Sequence, residues 1–477
     1  MDLSGTSTEV TDETKDTARK AENWNPTSWQ EFQVKQMPEY PDQELLNKSF
    51  RELKHYPPLV TSWEIEKLRL KLAEAGDGKR FIMQGGDCAE TFDGCNPTNI
   101  VNLLKVLLQT SFILIHEMGI PVTRIGRIAG QYAKPRSNPY EEVNGEKMLT
   151  YRGDLFNSIE PNSEARQPDP RRLVEGYQKS SMTLNFIRAL IEEGFADLHH
   201  PEYWELDFMK QNKYYKEYEA MVRSINKAIR FVESVSSSPF PALQNVRMYT
   251  SHEALNLYYE AAQTRRVPRR SGWYNLSAHM VWLGNRTREL DGAHVEYLRG
   301  IVNPVGIKVG PKFDPDATVQ LIKKLNPNNE KGKIVLITRM GADNIQEKLP
   351  KLINVVRDNG LNVVWLSDPM HGNTFSTEQE VKTRNFDKIL EEARQAFIVH
   401  RKENNILGGI HLELTGSNVT ECVGGAKGID EEGLGINYET YCDPRLNYEQ
   451  SLEMAFMVAR QWKESFAELL DNYNYHR

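Results

Sequence analysis

Residues 334–367, IVLITRMGADNIQEKLPKLINVVRDNGLNVVWLS, hold the pattern that decides the fold. Two short apolar runs rich in β-branched residues, Ile334–Arg339 and Val363–Ser367, flank a segment of helical character. Strands that alternate with helices in this way indicate parallel βαβ units, because two parallel strands need a crossover connection between them. The same alternation recurs along most of the chain.

Eight runs of this kind can be counted, and most of them are followed by a helical stretch. They are Arg80–Gly85, Pro121–Ile128, Val246–Ser251, His279–Gly284, Val305–Val309, Ile334–Arg339, Val363–Ser367 and Gly409–Leu414. Eight such units predict an α/β protein with a single (β/α)8 TIM barrel. A doubly wound parallel sheet would give a similar count, so the pattern leaves that fold open.

The barrel does not account for the whole chain of 477 residues. Residues 1–25 are acidic and polar and are predicted to form a flexible arm. Residues 26–78 are predicted to form a helical extension, and residues 79–477 the catalytic barrel. Between runs two and three, apolar residues recur at helical spacing over about residues 203–240, which predicts an inserted helical hairpin between strands 2 and 3. We interpret that insertion either as a site for assembly or effector binding, or as structural elaboration without a function of its own.

Composition argues against several classes of function. The formal net charge is −7, the pI is about 6.0 and no basic tract stands out, so we expect no nucleic-acid partner. Four cysteines are too few for a disulfide scaffold in a chain of this length. No stretch of the sequence approaches the ~20 apolar residues that a helix needs to span a bilayer, so we expect no membrane-spanning helix. The N-terminus has the character of neither a signal peptide nor a transit peptide. These features predict a cytoplasmic protein without a membrane partner.

Metal-binding residue types follow several of the predicted strands, at the end of a barrel where active sites lie. Cys88 follows run one, His371 follows run seven, and Asp443 precedes a proline further on. Run eight carries His411 and Glu413, which alternation places on one face of the strand. A lone cysteine is usually a small buried apolar residue. Together, however, thiol, imidazole and carboxylate groups form a mixed donor set for a divalent transition metal.

Cationic residues converge on the same end of the predicted barrel. Arg127, Arg286, Lys308 and Arg339 come at or just after the ends of four different runs. One or two of them could form ordinary surface salt bridges. Four in an acidic protein predict a pocket for multiply charged anions beside a metal, because guanidinium groups bind carboxylate and phosphate in bidentate fashion. Glu253, at the end of run three, is interpreted either as catalytic or as a support for these residues.

Nine segments closely resemble type II 3-deoxy-D-arabino-heptulosonate 7-phosphate (DAHP) synthases, the plant-like class of the enzyme that opens aromatic amino-acid biosynthesis. They are GGDCAETF (85–92), GRIAGQYAKPRS (126–137), TSHEALNLYYE (250–260), LDGAHVEYLRGIVNPVGIKVGP (290–311), ITRMGADNI (337–345), DPMHGNT (368–374), GGIHLELTG (408–416), ECVGGAKGI (421–429) and YCDPRLN (441–447). The resemblance runs from about Trp24 to the C-terminus.

The resemblance implies a TIM barrel with one divalent metal ion, Mn²⁺ or Co²⁺ first and Zn²⁺ or Fe²⁺ as alternatives. The implied metal ligands are Cys88, His371, Glu413 and Asp443. The implied phosphoenolpyruvate-binding residues are Arg127, Asn285, Arg286, Lys308 and Arg339, and the erythrose 4-phosphate side is formed by Lys134, Arg136 and Ser137. Glu253, Asp368 and His411 are expected to hold these residues in place. Members of the family commonly carry Glu where this chain has Asn285.

The implied reaction condenses phosphoenolpyruvate with D-erythrose 4-phosphate and water to give DAHP and phosphate, the first step of the shikimate pathway. The enzyme would be a metal-dependent aldol-type transferase. The resemblance also suggests a homodimer or homotetramer, an aromatic amino-acid effector and chorismate mutase as a partner. Three alternatives remain: the same reaction in secondary metabolism, a barrel metallohydrolase acting on phosphorylated substrates, and a pseudo-enzyme with a regulatory or assembly role.

Overall fold

Eight parallel strands close into a barrel in the computed structural model, which describes residues 24–143, 145–193, 195, 215–236 and 247–474. The (β/α)8 prediction is therefore confirmed, and the doubly wound alternative is wrong. The barrel strands are β1 (Phe81–Gly86), β2 (Val122–Arg127), β3 (Met248–Glu253), β4 (Met280–Leu283), β5 (Val305–Val309), β6 (Ile334–Thr338), β7 (Val364–Ser367) and β8 (Gly409–Glu413). Strand β1 pairs with both β2 and β8, which closes the barrel.

Eleven helices in the described part of the chain surround the barrel or precede it. They are α1 (Gln43–His55), α2 (Ser62–Gly76), α3 (Pro97–Met118), α4 (Arg171–Glu192), α5 (Tyr215–Ser236), α6 (Leu257–Ala262), α7 (Ala293–Arg299), α8 (Pro315–Leu325), α9 (Ile345–Asp358), α10 (Phe386–Lys402) and α11 (Tyr448–Asn474). Short 3₁₀ helices lie at Ser28–Glu31 and Gly433–Ile436. Helices α3 and α6 to α11 each follow a barrel strand, as the repeating pattern predicts.

Local sequence sets where several of these helices begin and end. Asn96 caps α3 by accepting a hydrogen bond from the backbone of Asn99, and Pro97 occupies the first turn, where its missing N–H is not needed. The helix ends at Gly119, whose φ of 68° suits a residue without a Cβ. Asp314 and Pro315 begin α8 in the same manner. These signals place the loops, and hence the site residues, at fixed points along the barrel.

Helix α2 closes the N-terminal end of the barrel. Its buried residues Leu68, Leu72 and Ala75 belong to one apolar cluster with side chains of the barrel interior, among them Ile82 and Ile337. Thr61 begins the helix with a reciprocal capping box to Glu64. The N-terminal extension therefore seals the base of the barrel and leaves the opposite end free for chemistry.

The connection between β2 and β3 is the longest one outside the barrel. It contains the antiparallel strand pair Tyr140–Val143 and Glu146–Leu149, then α4 and α5. Helix α5 lies within the predicted helical insertion at about 203–240, while residues 203–214 and 237–240 lie outside the described residues. Helix α4 and the strand pair were not predicted. Residues 1–23 of the predicted flexible arm also lie outside the described residues.

Helix α3 is long and apolar enough to cross a membrane by length and composition, so the expectation that no such run occurs is wrong. In the structure, 67% of its most apolar window is buried inside the protein. Leu104, Leu107 and Phe112 lie in the core, and α3 packs against α11 and against the barrel. A helix covered by protein on most sides is apolar around most of its circumference.

The Leu68→Ala variant tests the role of α2 as the seal of the barrel. Leu68 is fully buried, whereas Leu70 on the same helix is 68% exposed. We expect Leu68→Ala to lower the free energy of unfolding by about 2–5 kcal/mol, because burial is lost and a cavity remains. Leu70→Ala should change it by less than about 0.5 kcal/mol. Urea unfolding of both variants measures the difference, and equal losses would contradict this placement of α2.

Candidate active site

Alternation along β8 directs two polar side chains into the mouth of the barrel. His411 and Glu413 both contact the guanidinium of Arg127, which comes from β2. Leu412 and Leu414 point the other way, into the core between strands and helices. The predicted common face of His411 and Glu413 is confirmed, because the period of a strand is two residues.

The same rule separates two arginines of β2. Arg127 points inward at the C-terminal end of the strand and is almost completely buried. Arg124 points outward, where its Nε donates a hydrogen bond to Ser111 Oγ of α3 at 2.5 Å. Only the first of these two cations therefore belongs to the mouth of the barrel.

The four predicted metal ligands meet at this mouth. The ligand atoms of Cys88, Glu413 and Asp443 lie within 4.8 Å of one another. His371 Nε2 lies 2.9 Å from Glu413 Oε1 and 4.0 Å from Asp443 Oδ2. Each of the four comes from a different segment: the loop after β1, the loop after β7, β8 itself and the segment before α11.

Asp368 fixes the orientation of His371. Its Oδ2 lies 2.8 Å from His371 Nδ1 and also pairs with the ammonium of Lys308. Burial works to raise the pKa of the Asp368 carboxyl, but His371 and Lys308 hold that pKa well below its usual range. With Nδ1 held by a carboxylate, Nε2 is left to face Glu413 and Asp443, which is the arrangement typical of metal-bound histidines.

Glu413 is a fully buried carboxylate surrounded by positive charge. Its Oε1 lies 2.9 Å from Arg127 and 3.3 Å from Lys134, and its Oε2 lies 2.8 Å from Arg384. Burial works to raise the pKa of Glu413, but His371, Lys134, Arg384 and Arg127 hold it well below its usual range. The side chain is therefore ionised and available as an oxygen ligand.

Lys134 was predicted on the erythrose 4-phosphate side, and the structure places its ammonium among three of the predicted metal ligands. Its Nζ lies 2.9 Å from Cys88 Sγ, 2.8 Å from Asp443 Oδ2 and 3.3 Å from Glu413 Oε1. Burial works to lower the pKa of Lys134, but Asp443, Cys88 and Glu413 hold it well above its usual value. These groups together create a position that favours a cation.

Arg127 is held on three sides. Its Nε donates to the carbonyl oxygen of Asp87 at 2.8 Å, and its terminal nitrogen lies 2.6 Å from His411 Nε2. The ring of Trp282 lies 5.0 Å from the guanidinium carbon, within the range of a cation–π contact. Burial lowers the pKa of His411 well below its ordinary value, so its neutral ring accepts the hydrogen bond from Arg127.

Lys308, which is buried on β5, and Arg339, which is half-buried after β6, complete the row of cations. Burial lowers the pKa of Lys308 to about 8 although Asp368 opposes the shift. Arg339 donates to the carbonyl oxygen of His371 at 2.6 Å. A Cβ on Gly310 would lie only 3.0 Å from the Arg339 guanidinium, so glycine there keeps room for that group.

Arg286 joins the two predicted substrate sides. It donates to Ser137 Oγ at 2.7 Å, although it was predicted with the phosphoenolpyruvate residues and Ser137 with the other side. Both line a cavity of about 220 Å³ together with Lys134, Arg136 and Asp443.

Asn285, its neighbour in the chain, is exposed. Its Oδ1 lies 3.9 Å from the position that a Cβ on Gly310 would take.

Several residues of the site were missed by the sequence patterns. Lys382 and Arg384 lie on an antiparallel hairpin of strands Thr374–Ser376 and Lys382–Arg384, and they pair with Asp443 and Glu413. Gln36, from the N-terminal extension, accepts a hydrogen bond from the backbone of Arg136 at 2.9 Å. The run KTRN was visible in the sequence, but a search restricted to the ends of barrel strands passes over a hairpin.

Comparison with known proteins gives a consistent picture. Residues 24–459 match the class-II DAHP synthetase family. A phospho-2-dehydro-3-deoxyheptonate aldolase of Neurospora crassa is 45% identical over 468 residues, which covers 95% of this chain and 97% of that protein. A protein of the same name from Streptomyces coelicolor is 45% identical over 437 residues, 92% of this chain and 97% of that one.

A solved DAHP synthase structure from Thermotoga maritima is 14% identical and gives a TM-score of 0.32, covering 82% of this chain and 71% of that one. A similarity this weak adds nothing to the fold, which rests on the closed barrel itself.

Replacing Asp368 with Asn tests its control of His371. We expect the affinity for Mn²⁺ to fall about 10–100-fold, because the carboxylate that orients the imidazole is lost. Asp358→Asn, at an exposed carboxylate on α9, is the matched control and should leave the affinity unchanged. Titration followed by electron paramagnetic resonance measures free Mn²⁺ directly. Equal affinities for the two variants would remove Asp368 from this role.

Proposed function

The chain belongs to the class-II DAHP synthetase family, and from this premise we propose that it is a metal-dependent aldol-type transferase. The reaction joins phosphoenolpyruvate to D-erythrose 4-phosphate and water to give DAHP and phosphate, the first step of the shikimate pathway. The two relatives named after this activity match the chain over nearly its whole length. The observation that carries the mechanism is the meeting of the four proposed metal ligands and a row of cations in one barrel mouth.

Cys88, His371, Glu413 and Asp443 would hold one divalent metal ion. A thiolate, an imidazole and two carboxylates suit Mn²⁺ or Co²⁺, and also Zn²⁺ or Fe²⁺. The fit is supported by the Lys134 ammonium, which lies within 2.8–3.3 Å of three of these groups and so marks a place where positive charge is favoured. When bound, the metal supplies Lewis-acid polarisation of the aldehyde carbonyl.

The cations of the barrel mouth would bind and orient phosphoenolpyruvate. Arg127, Lys308 and Arg339 come from three barrel strands or their ends and are held by neighbouring groups in the structure. Arginine and lysine groups held in this way bind phosphate and carboxylate with little loss of side-chain freedom. Arg286 would bind the same phosphate, and Asn285 would contribute through its backbone N–H. Lys134, Arg136 and Ser137 would bind erythrose 4-phosphate in the adjoining cavity.

The proposed chemistry balances without a further reactant. C3 of phosphoenolpyruvate forms a bond to the aldehyde carbon of erythrose 4-phosphate, and the aldehyde oxygen takes up a proton. Water adds at C2 and gives up a proton. The C2–O bond to phosphate then breaks with its electron pair on the phosphate. The new hydroxyl on C2 gives its remaining proton to that phosphate, which leaves a ketone at C2. Correct placement of the two carbons lowers the barrier by removing the entropy cost of their meeting.

Two other functions are disfavoured by specific observations. A metallohydrolase has little use for so many cations around one metal, and phosphate release that requires both substrates would separate it from a synthase. A pseudo-enzyme would have little reason to retain all four ligand types, which the structure brings together at the barrel mouth. Activity measured alongside metal content separates these cases.

Assembly, regulation and location remain proposals that rest on the family. We propose a homodimer or homotetramer in the cytoplasm, an aromatic amino-acid effector and an association with chorismate mutase.

Removal of the metal tests the cofactor proposal. Treatment with EDTA should abolish DAHP formation, and added Mn²⁺ or Co²⁺ should restore it, because the ligand set is built for a divalent ion. DAHP and phosphate are measured together before and after dialysis. Turnover that persists in metal-free buffer would contradict metal dependence.

The Arg339→Ala variant tests the phosphoenolpyruvate pocket. We expect KM for phosphoenolpyruvate to rise tenfold or more, which corresponds to a loss of about 1.4 kcal/mol or more of binding free energy. Steady-state kinetics at saturating erythrose 4-phosphate give this value. Arg394→Ala, at a cation on the outer surface of α10, serves as the control. An unchanged KM in Arg339→Ala would place that residue outside the pocket.

A further inference from the structure

Glu253 ends β3 on the inner face of the barrel. Tyr249, four residues earlier on the strand, belongs to the apolar cluster of the barrel interior. Ser251 Oγ, between them, accepts a hydrogen bond from Gln84 Nε2 of β1 at 3.0 Å. Because the side chains of a strand alternate, Glu253 points in the same direction at the level of the mouth.

Glu253 differs from the other carboxylates of the site because one of its oxygens is buried without a partner. Among the described residues, no hydrogen-bond partner reaches its Oε1. By contrast, Asp368 forms an ion pair with Lys308, and Glu413 forms one with Arg127. An unpaired buried acceptor costs about 1–3 kcal/mol, so its retention calls for a functional explanation.

The surrounding chain makes room for this carboxylate and holds its backbone. Gly284, at the end of β4, has no side chain, and a Cβ there would lie 2.0 Å from Glu253 Oε1. The backbone N–H of Glu253 donates to Gln131 Oε1 at 2.9 Å. The carboxylate therefore occupies a space that opens only because position 284 is glycine.

The charges that face Glu253 are the cations already assigned to the substrates. Lys134, Lys308, Arg127 and Arg286 act on it from β2, β5 and the loops after β2 and β4. Burial raises the pKa of Glu253 above its ordinary value, and the four cations oppose that shift. A carboxylate in such a position can take a proton from a group bound between the cations.

Asn285 cannot supply this chemistry. A carboxamide donates and accepts hydrogen bonds but takes up no proton near neutral pH. The adjoining Gly284 places the Glu253 carboxylate beside this same stretch of β4. The carboxylate that lies next to Gly284 and Asn285 is therefore that of Glu253, which comes from β3.

We propose that Glu253 is a catalytic residue, the general base that accepts a proton from the water that attacks C2 of phosphoenolpyruvate. This role rests on the proposed DAHP synthase reaction. As the oxygen of water bonds to C2, one O–H bond breaks and its proton passes to Oε1 of Glu253. Glu253 then passes this proton to the aldehyde-derived oxygen and is ionised again. When the C2–O bond to phosphate breaks, the remaining proton of the C2 hydroxyl leaves with the phosphate and C2 becomes a ketone.

The Glu253→Gln variant tests the base while preserving shape. We expect kcat to fall about 100-fold or more, the usual contribution of a general base, with both KM values within about threefold of the wild type. The midpoint of thermal unfolding should stay the same or rise, because a buried unpaired charge is removed.

Glu260→Gln provides the contrast. Glu260 is a buried carboxylate that is satisfied by His252, Asn275 and Ser277. Its replacement should lower the unfolding midpoint, because partners lose their acceptor.

Rescue by a small carboxylate separates a base from a structural residue. In Glu253→Ala, added formate should restore part of kcat, because it supplies a carboxylate to the vacated space, whereas chloride at equal ionic strength should not. A kcat for Glu253→Gln within threefold of the wild type would overturn the proposal. A lowered unfolding midpoint of Glu253→Gln, together with no rescue of Glu253→Ala by formate, would also overturn the proposal. Wild-type enzyme that formed no DAHP would instead refute the proposed function itself.

Discussion

The burial of Glu413 inside the barrel is the constraint on which the site depends. A buried carboxylate is strongly disfavoured unless cations and hydrogen bonds surround it. Arg127, Arg384, Lys134 and His371 meet that requirement, and each comes from a different segment of the chain. The proposed metal ligands and the cations proposed to bind the substrates are therefore parts of one electrostatic network.

Two acids outside this network, Glu90 and Glu392, position the loops that carry its cations. Glu90 accepts hydrogen bonds from three successive backbone N–H groups, at residues 129–131, in the loop that leads to Lys134. Glu392 of α10 accepts from the backbone of Met340 and Gly341, just after Arg339. These hydrogen bonds hold each loop in one conformation. The charged side chains that the loops carry are then positioned before a charged substrate binds.

The two ends of the barrel divide stability from chemistry. At the base, α2 packs leucines against the barrel interior, so burial of apolar surface is the dominant contribution. At the mouth lie the charged side chains of Arg127, Lys308 and Glu413, and another, Glu253, has an unpaired buried oxygen. The cost of that unpaired oxygen is tolerated because apolar burial elsewhere in the barrel stabilises the fold.

The sequence by itself determined the alternation of strands and helices, the inward pairing of His411 with Glu413, and the delivery of cations to the strand ends. These are local properties, since backbone periodicity depends on near neighbours along the chain. Only the tertiary structure decided that Arg384 of a hairpin joins Glu413 and that Lys134 lies among the proposed metal ligands. Those contacts join segments far apart in sequence, and their distances exist only once the barrel has closed.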